Sequence, residues 1–189
     1  NWLKRTIVPV WNAGYRLAYR AGLHVDAVRN GRFETCVVCG RFGPMLYQRR
    51  VIPPRLEERW GLSPALAAAL ARKESCDCAW CGAKLRARRL ARVILQIHQV
   101  GSPPAPADSL AAWAVSPEAR QLRVAEINWI EGIHGQLTRL PGFADSDYHP
   151  GARPGERIEG IRSEDLVRLT YEDESFDLVL TSETLEHVP

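Results

Sequence analysis

The sequence contains no long hydrophobic run and few acidic residues near its start. No stretch reaches the roughly 18–20 uncharged apolar residues that a membrane-spanning helix needs. The longest early candidate, residues 6–15, is flanked by Arg5 and Arg16 and interrupted by Pro9, and the first acidic residue is Asp26. There is also no secretory signal, so the expected location is cytoplasmic.

The composition is that of a globular protein whose two halves differ in charge. The 189 residues are 46% hydrophobic and 25% charged, which excludes a mainly disordered or collagen-like chain. Residues 1–100 carry 18 basic and 6 acidic side chains, whereas residues 101–189 carry 7 and 16. This change of sign predicts two units with different roles. Because the chain begins with Asn1 and ends at Pro189 within an apparent structural element, we expect a fragment truncated at both ends.

The five cysteines are clustered rather than dispersed. Cys36 and Cys39 begin one CxxCG motif, and Cys78 and Cys81 begin a second. In a reducing compartment, such pairs indicate metal binding rather than disulfides. Four thiolates in a tetrahedron form a closed structural zinc (Zn²⁺) site with no open position for a catalytic water. Cys76, two residues before Cys78, could replace it as a ligand.

Helical patterns dominate the region around the cysteines. Ser63 as N-cap and Pro64 at the first helical position predict a helix that continues to Lys73. The other predicted elements are a helix over residues 2–22, a short strand over 45–47, a helical turn over 54–60, and a helix with the apolar stripe Leu90, Val93, Ile94 and Ile97. We therefore expect a small, mainly helical zinc-binding module in which an inserted helical segment separates the two cysteine pairs.

The helix after Cys81 is strongly basic. Basic residues beside zinc indicate nucleic-acid binding, but cations are also expected to offset the net −2 charge of zinc bound by four thiolates. Trp80 is expected to pack on the zinc site rather than to stack on a base. The basic residues are Lys84, Arg86, Arg88, Arg89 and Arg92.

Proline-rich residues 101–120 are predicted to form a linker that contains a short helix over 109–115. Beyond it, strands are predicted over 122–127, 143–147, 158–162 and 176–181, with a helix over 135–140. This alternation predicts an α/β fold with a parallel sheet. The predicted domains are an N-terminal helical segment (1–34), the zinc-binding module (35–100), the linker (101–120) and the α/β region (121–189).

Three acidic residues lie at or just past the carboxyl ends of successive predicted strands: Glu126, Asp147 and Asp165. Ligands bind at the carboxyl ends of the strands in open parallel sheets. An acidic residue about 20 positions beyond the first strand is suited to ribose hydroxyls, and Asp147 lies 21 positions beyond Glu126. An acidic residue after the third strand could accept a hydrogen bond from an adenine amino group.

The segment from Arg162 to Leu166, the SFDLV run at 175–179 and the LEHVP run at 185–189 resemble class I S-adenosylmethionine-dependent methyltransferases of the type 11 group. The resemblance covers residues 122–189, and the upstream CxxCG pairs are similar to a subset of these enzymes with an N-terminal zinc-binding region. It implies a Rossmann-like sheet, here partial with about four of seven strands. It also implies methyl transfer from S-adenosyl-L-methionine to a small-molecule or glycan acceptor.

The resemblance also implies a set of cofactor contacts. Asp147 matches the ribose-binding acid, Asp165 and Leu166 match the adenine contacts, and Glu126 and Ser182 face the methionine end. The usual glycines after the first strand are reduced to Gly132, because Asn128 and Ile130 replace the first two. Asn tolerates positive φ better than most residues. The predicted cofactor-binding set is Glu126, Asn128, Gly132, Asp147, Asp165, Leu166 and Ser182.

Two other functions stay open at this point. The first is a zinc-containing RNA methyltransferase, which the basic N-terminal half favours and which would make RNA a partner. The second is a noncatalytic zinc-binding adaptor with a degenerate Rossmann-like domain, which the missing glycines favour. No residue is assigned as a catalytic base, and the fragment alone is expected to be inactive.

Overall fold

The computed structural model describes residues 20–47, 51–99 and 107–188. These residues form two compact units. The first contains residues 20–36, 41–47 and 51–86, and the second contains 37–40, 87–99 and 107–188. A helix over residues 20–29 (α1) opens the described part, and most of the helix predicted over 2–22 lies outside it.

A three-stranded antiparallel sheet organises the first unit. Strands β1 (Phe33–Thr35), β2 (Phe42–Tyr47) and β3 (Cys76–Cys78) pair in the order β1-β2-β3. Between β2 and β3 the chain forms helices α2 (Pro54–Arg59) and α3 (Pro64–Ser75), which confirms the helical insertion. Only the end of β2 was predicted, because β1 and β3 are three residues long and their strand character comes from pairing.

The predicted start of α3 is confirmed. Pro64 is its first residue, and the Ser63 hydroxyl accepts a hydrogen bond from the Leu66 N–H at 3.2 Å. This bond satisfies one of the donors that a helix start leaves unpaired. The helix extends two residues beyond the predicted end at Lys73.

Helix α4 (Leu85–Gln99) follows the second cysteine pair, as predicted. The predicted apolar stripe is wrong in part, because Val93 and Ile97 are 47% and 60% exposed. The buried positions are Ala87, Arg88, Ala91, Ile94 and Leu95. The small side chains of Ala87 and Ala91 let neighbouring parts of the chain approach this side of the helix closely. The buried face is therefore rotated relative to the face predicted from the large apolar side chains. Arg88, one of the basic residues of this helix, is buried as well.

A five-stranded mixed sheet organises the second unit. In the order β6-β7-β5-β4-β8, the strands β7 (Ile161–Ser163), β5 (Gly142–Asp147), β4 (Arg123–Ile127) and β8 (Leu178–Thr181) are parallel. The α/β class and the parallel core of the sheet are thereby confirmed. Strand β6 (Arg157–Ile158) pairs antiparallel with β7. The single strand predicted over 158–162 is wrong, because Glu159 and Gly160 adopt positive φ and form a hairpin turn there.

The core of the second unit lies around β4. Helix α6 (His134–Leu137) follows β4. The short helix α5 (Leu110–Trp113) lies where a helix was predicted, and its Ser109 hydroxyl caps it by accepting from the Ala112 N–H. Large buried side chains of this unit are Leu110, Trp113, Val124, Ile127, Ile130, Ile133, Leu137, Leu140 and Leu180. Within the described ranges, no helix is long and apolar enough to cross a membrane.

Candidate metal centre and ligand cleft

The two CxxCG segments have the same local backbone structure. The Cys36 N–H donates to the Arg41 carbonyl and the Cys78 N–H donates to the Ala83 carbonyl, both at 3.0 Å. Gly40 and Gly82 both adopt φ of 73°, a left-handed conformation that favours glycine. The motif therefore folds each cysteine pair into the same tight turn, as the sequence predicts.

The four sulfurs converge on one point. The ligand atoms of Cys36, Cys39, Cys78 and Cys81 all lie within 4.8 Å of one another, and the Cys36 and Cys81 sulfurs are 3.8 Å apart. Zinc–sulfur bonds of about 2.3 Å in a tetrahedron separate the sulfurs by about 3.8 Å. The cluster thus fits a tetrahedral metal ion. Cys78 belongs to this cluster and Cys76 does not, although both cysteines lie on β3.

The four cysteines are shielded from solvent to different degrees, and their thiols interact with one another. Cys36 and Cys78 are buried, and Cys39 and Cys81 are half-buried. Hydrogen bonds from Cys36 and Cys81 lower the pKa of Cys78, whereas hydrogen bonding with Cys36 and Cys78 raises the pKa of Cys81. These hydrogen bonds favour the thiolate form of Cys78 and disfavour that of Cys81. A bound divalent cation would stabilise all four thiolates.

A cleft of about 530 Å³ lies at the carboxyl ends of the parallel strands in the second unit. Small-molecule sites commonly measure about 300–1,000 Å³. Four of the seven predicted cofactor residues line the cleft: Asn128, Asp147, Asp165 and Leu166. The other lining residues are Ile127, Tyr148, Glu164, Val167, Thr184 and Val188.

Asn128 connects the ends of three strands on one side of this cleft. Its backbone adopts φ of 63°, a left-handed conformation that asparagine tolerates better than most residues. Its side-chain amide donates to the Thr184 hydroxyl at 3.0 Å and accepts from the Tyr148 N–H at 3.3 Å. Asn128 follows β4, Tyr148 follows β5 and Thr184 follows β8, so one side chain holds the three ends together.

Each of the two acidic residues predicted to contact adenosine uses only one of its carboxylate oxygens in a hydrogen bond to the described part of the chain. Asp147 accepts from the Tyr148 N–H at 2.9 Å, and Asp165 accepts from the Val167 N–H at 3.0 Å, each through Oδ1. Among the described residues, none donates to the Oδ2 atom of either one or accepts from the Leu166 N–H. These groups can therefore bind hydroxyl and amine groups of a ligand.

Glu164 forms the base of the loop that carries Asp165. Its buried carboxylate accepts from the Thr170 N–H at 2.9 Å, from the Thr170 hydroxyl at 2.7 Å and from Arg162 Nε at 2.5 Å. Burial alone would raise the pKa of Glu164, but the hydrogen bonds from Thr170 and Arg162 lower it below its usual value. The ionised side chain thus holds the loop after β7 against the strand.

The other three predicted cofactor residues do not line the cleft. Glu126 is 1% exposed, accepts from the Ile130 N–H at 3.2 Å and lies 2.5 Å from His134 Nδ1. Burial raises the pKa of Glu126, although the His134 contact opposes that effect. It borders a second cavity of about 380 Å³, which Asp147 also borders. Gly132 adopts φ of 84° in the turn after β4, and Ser182 directly follows β8.

Six lining residues were not in the predicted set, and two of them, Tyr148 and Thr184, hold the strand ends together through Asn128. Tyr148 follows Asp147 directly, so its position after a strand was the available signal. Thr184 has no comparable signal, because its role depends on contact with Asn128, 56 positions away. Comparison of the chain with family models, with curated proteins and with solved structures gave no match.

Proposed function

We propose that this chain is part of an S-adenosylmethionine-dependent methyltransferase with a structural zinc site. The cleft at the strand ends carries the proposal. It is lined, in chain order, by the polar residue after β4, the acid at the end of β5 and an acid after β7, namely Asn128, Asp147 and Asp165. A nucleoside needs acceptors for its ribose hydroxyls and its adenine amino group, and these residues supply both.

The strand order supports a Rossmann-like reading of the second unit. The parallel strands, numbered along the chain, lie in the order 3-2-1-4, the order in the first half of doubly wound nucleotide-binding sheets. In such sheets, ligands bind where the order reverses, beside the first strand. Ile127 and Asn128 at the end of β4 and Thr184 after β8 line the cleft on the two sides of that position.

The residues of the cleft would act by binding and orientation. S-adenosylmethionine supplies an activated methyl group on a good leaving group, so its transfer depends mainly on proximity and alignment. Asp147 would hold the ribose through Oδ2, and Asp165 and the Leu166 N–H would hold the adenine. The proposed acceptor is a small molecule or a glycan, and no described side chain is assigned as its base.

The metal in the proposed enzyme is zinc and its role is structural. Four thiolates fill a tetrahedral coordination shell and leave no position for a substrate or water. The basic side chains that follow Cys81, from Lys84 to Arg92, would offset part of the net negative charge of such a site. The zinc would therefore hold the two CxxCG turns together, with the three-stranded sheet next to them, and would take no part in methyl transfer.

Calorimetric titration with S-adenosylhomocysteine tests the cofactor proposal. We expect saturable binding to the wild-type protein, and at least about tenfold weaker binding by Asp147→Ala and by Asp165→Ala, since each loses a hydrogen bond to a polar ligand group. Asp173→Ala is the matched control, because this exposed acid in the same unit lies outside the cleft. Absence of binding by a folded, zinc-loaded protein would overturn the proposal and favour the noncatalytic zinc-binding adaptor.

A further inference from the structure

The second cavity, of about 380 Å³, lies against one face of the sheet in the second unit. Glu126 on β4 is paired with Asp145 on β5, so the two side chains point to the same face, and Asp147, two residues later, points there as well. On β7, Ile161 lies two residues before the partner of Asp147 and shares that face. The strand register therefore brings these four residues to one side of the cavity.

Two aromatic side chains from the segment after β4 also line the second cavity. Trp129 is 61% exposed, and its ring centroid lies 6.1 Å from that of His134. His134 Nδ1 lies 2.5 Å from Glu126 Oε2, and no described residue forms a hydrogen bond with His134 Nε2. The cavity thus has an exposed indole ring beside an imidazole that Glu126 holds in place.

The charge around the second cavity is negative. Glu126 is matched by His134 and by the Ile130 N–H at 3.2 Å, whereas no described residue donates a hydrogen bond to Asp145 or forms an ion pair with it. Burial raises the pKa of Glu126, and the charge on Asp145 raises it further because the two carboxylates repel each other. Among the residues that line the cavity there is no lysine or arginine. A bound cation would relieve this repulsion.

The cation that suits this cavity is organic rather than a metal ion. A metal site needs several ligand atoms close together, and in the described part of the chain only the four clustered cysteines meet that condition. A protonated amine needs one carboxylate as a charged acceptor, and it also gains from contact with the face of a tryptophan ring. The volume of the cavity lies in the range of small-molecule sites.

We propose that the second cavity binds a protonated amine that carries a small apolar body. Asp145 accepts hydrogen bonds from the ammonium group, and Trp129 covers the cation and the apolar body beside it. Asp147 borders both this cavity and the cleft, so the amine lies next to the proposed cofactor. The identification of the amine as the methyl acceptor rests on the proposed function, whereas its binding does not.

Titration of the zinc-loaded protein with para-fluorobenzylamine, followed by fluorine NMR, tests the inference without any cofactor. The matched probe is para-fluorobenzyl alcohol, which has the same ring and no charge. We expect the amine to bind at least about fivefold more tightly than the alcohol, and Asp145→Asn should remove this difference. Trp129→Ala should weaken binding of the amine at least about threefold. Asp173→Asn is the control, because it removes an exposed acid outside the cavity, and it should change neither affinity.

Each variant is used only when its unfolding midpoint stays close to that of the wild-type protein. Asp145→Asn keeps the size of the side chain and covers the case in which Trp129→Ala fails to fold. Absence of saturable amine binding, equal affinities for the two probes, or an amine preference that Asp145→Asn leaves intact would each overturn the inference. Amine binding by a protein that does not bind S-adenosylhomocysteine would support the inference and count against the proposed function alone.

Discussion

The two units achieve their structure by different means. The first has short strands and few large buried side chains, among them Met45 and Leu46, and it contains three of the four clustered cysteines, Cys36, Cys78 and Cys81. The second buries a series of large aliphatic residues around a parallel sheet, including Val124, Ile133 and Leu137. A small core seldom stabilises a fold without a disulfide or a metal. Because three of the four clustered cysteines belong to the first unit, metal binding should be coupled mainly to the folding of that unit, whereas the parallel sheet of the second unit should fold without it.

Metal removal is the strongest test of this difference. Chelation, or the substitution Cys78→Ser, should abolish metal binding and unfold the first unit, because binding at structural zinc sites contributes about 10–16 kcal/mol. The second unit should keep its structure. Metal content per chain and limited proteolysis with identification of the surviving fragments measure both effects. Cys76→Ser is the matched control and should keep one metal per chain, and an intact first unit after chelation would contradict the comparison.

Substitutions at Asn128 should change the stability of the second unit without affecting metal binding. Asn128→Ala should destabilise the second unit by about 1–2 kcal/mol, since it loses hydrogen bonds and places alanine at positive φ. Asn128→Gly loses the same bonds without the backbone penalty and should be about 1 kcal/mol more stable than Asn128→Ala. Denaturant unfolding monitored in the second unit measures both values. The metal content should not change in either variant, and equal stabilities would contradict the strained-turn explanation.

The smallest expected effect is in the pH dependence of the second unit. Because hydrogen bonds lower the folded-state pKa of Glu164, its contribution to stability is complete above the unfolded pKa near 4.5 and is lost as the pH falls through the folded value. Glu164→Gln should therefore flatten the loss of stability below about pH 4.5. Asp177, whose pKa the Arg123 hydrogen bonds lower to about 2, continues the loss at lower pH.

Unfolding curves at pH values from 7 to 3 measure this effect. Glu172→Gln, at an exposed acid of the same unit, is the control and should leave the slope unchanged. An unchanged slope in Glu164→Gln as well would show that the carboxylate of Glu164 is not held in its ionised form by Thr170 and Arg162.

Local chemistry made part of the fold, the cysteine cluster and four of the residues that line the cleft predictable. The CxxCG spacing places two thiolates and a positive-φ glycine within one turn, and Ser63 with Pro64 caps the helix that follows them. Strands β4 and β8 have enough apolar residues close together to be recognised without knowledge of their neighbours. In each case the determining contacts span only a few positions, so the amino-acid sequence by itself contains the information.

Only the tertiary structure decided the features that depend on distant residues. Trp80, between Cys78 and Cys81, lies against Gly43 and donates to the carbonyl of Phe42, which is 38 positions earlier in the chain. Asn128 donates to the hydroxyl of Thr184, which is 56 positions later. The side of α4 that is buried, and the hairpin that replaces one long predicted strand, likewise follow from packing and pairing rather than from hydrophobicity. The physical reason is that hydrogen-bond pairing and close packing are properties of residue pairs brought together by the chain, and no local pattern specifies which partner will be present.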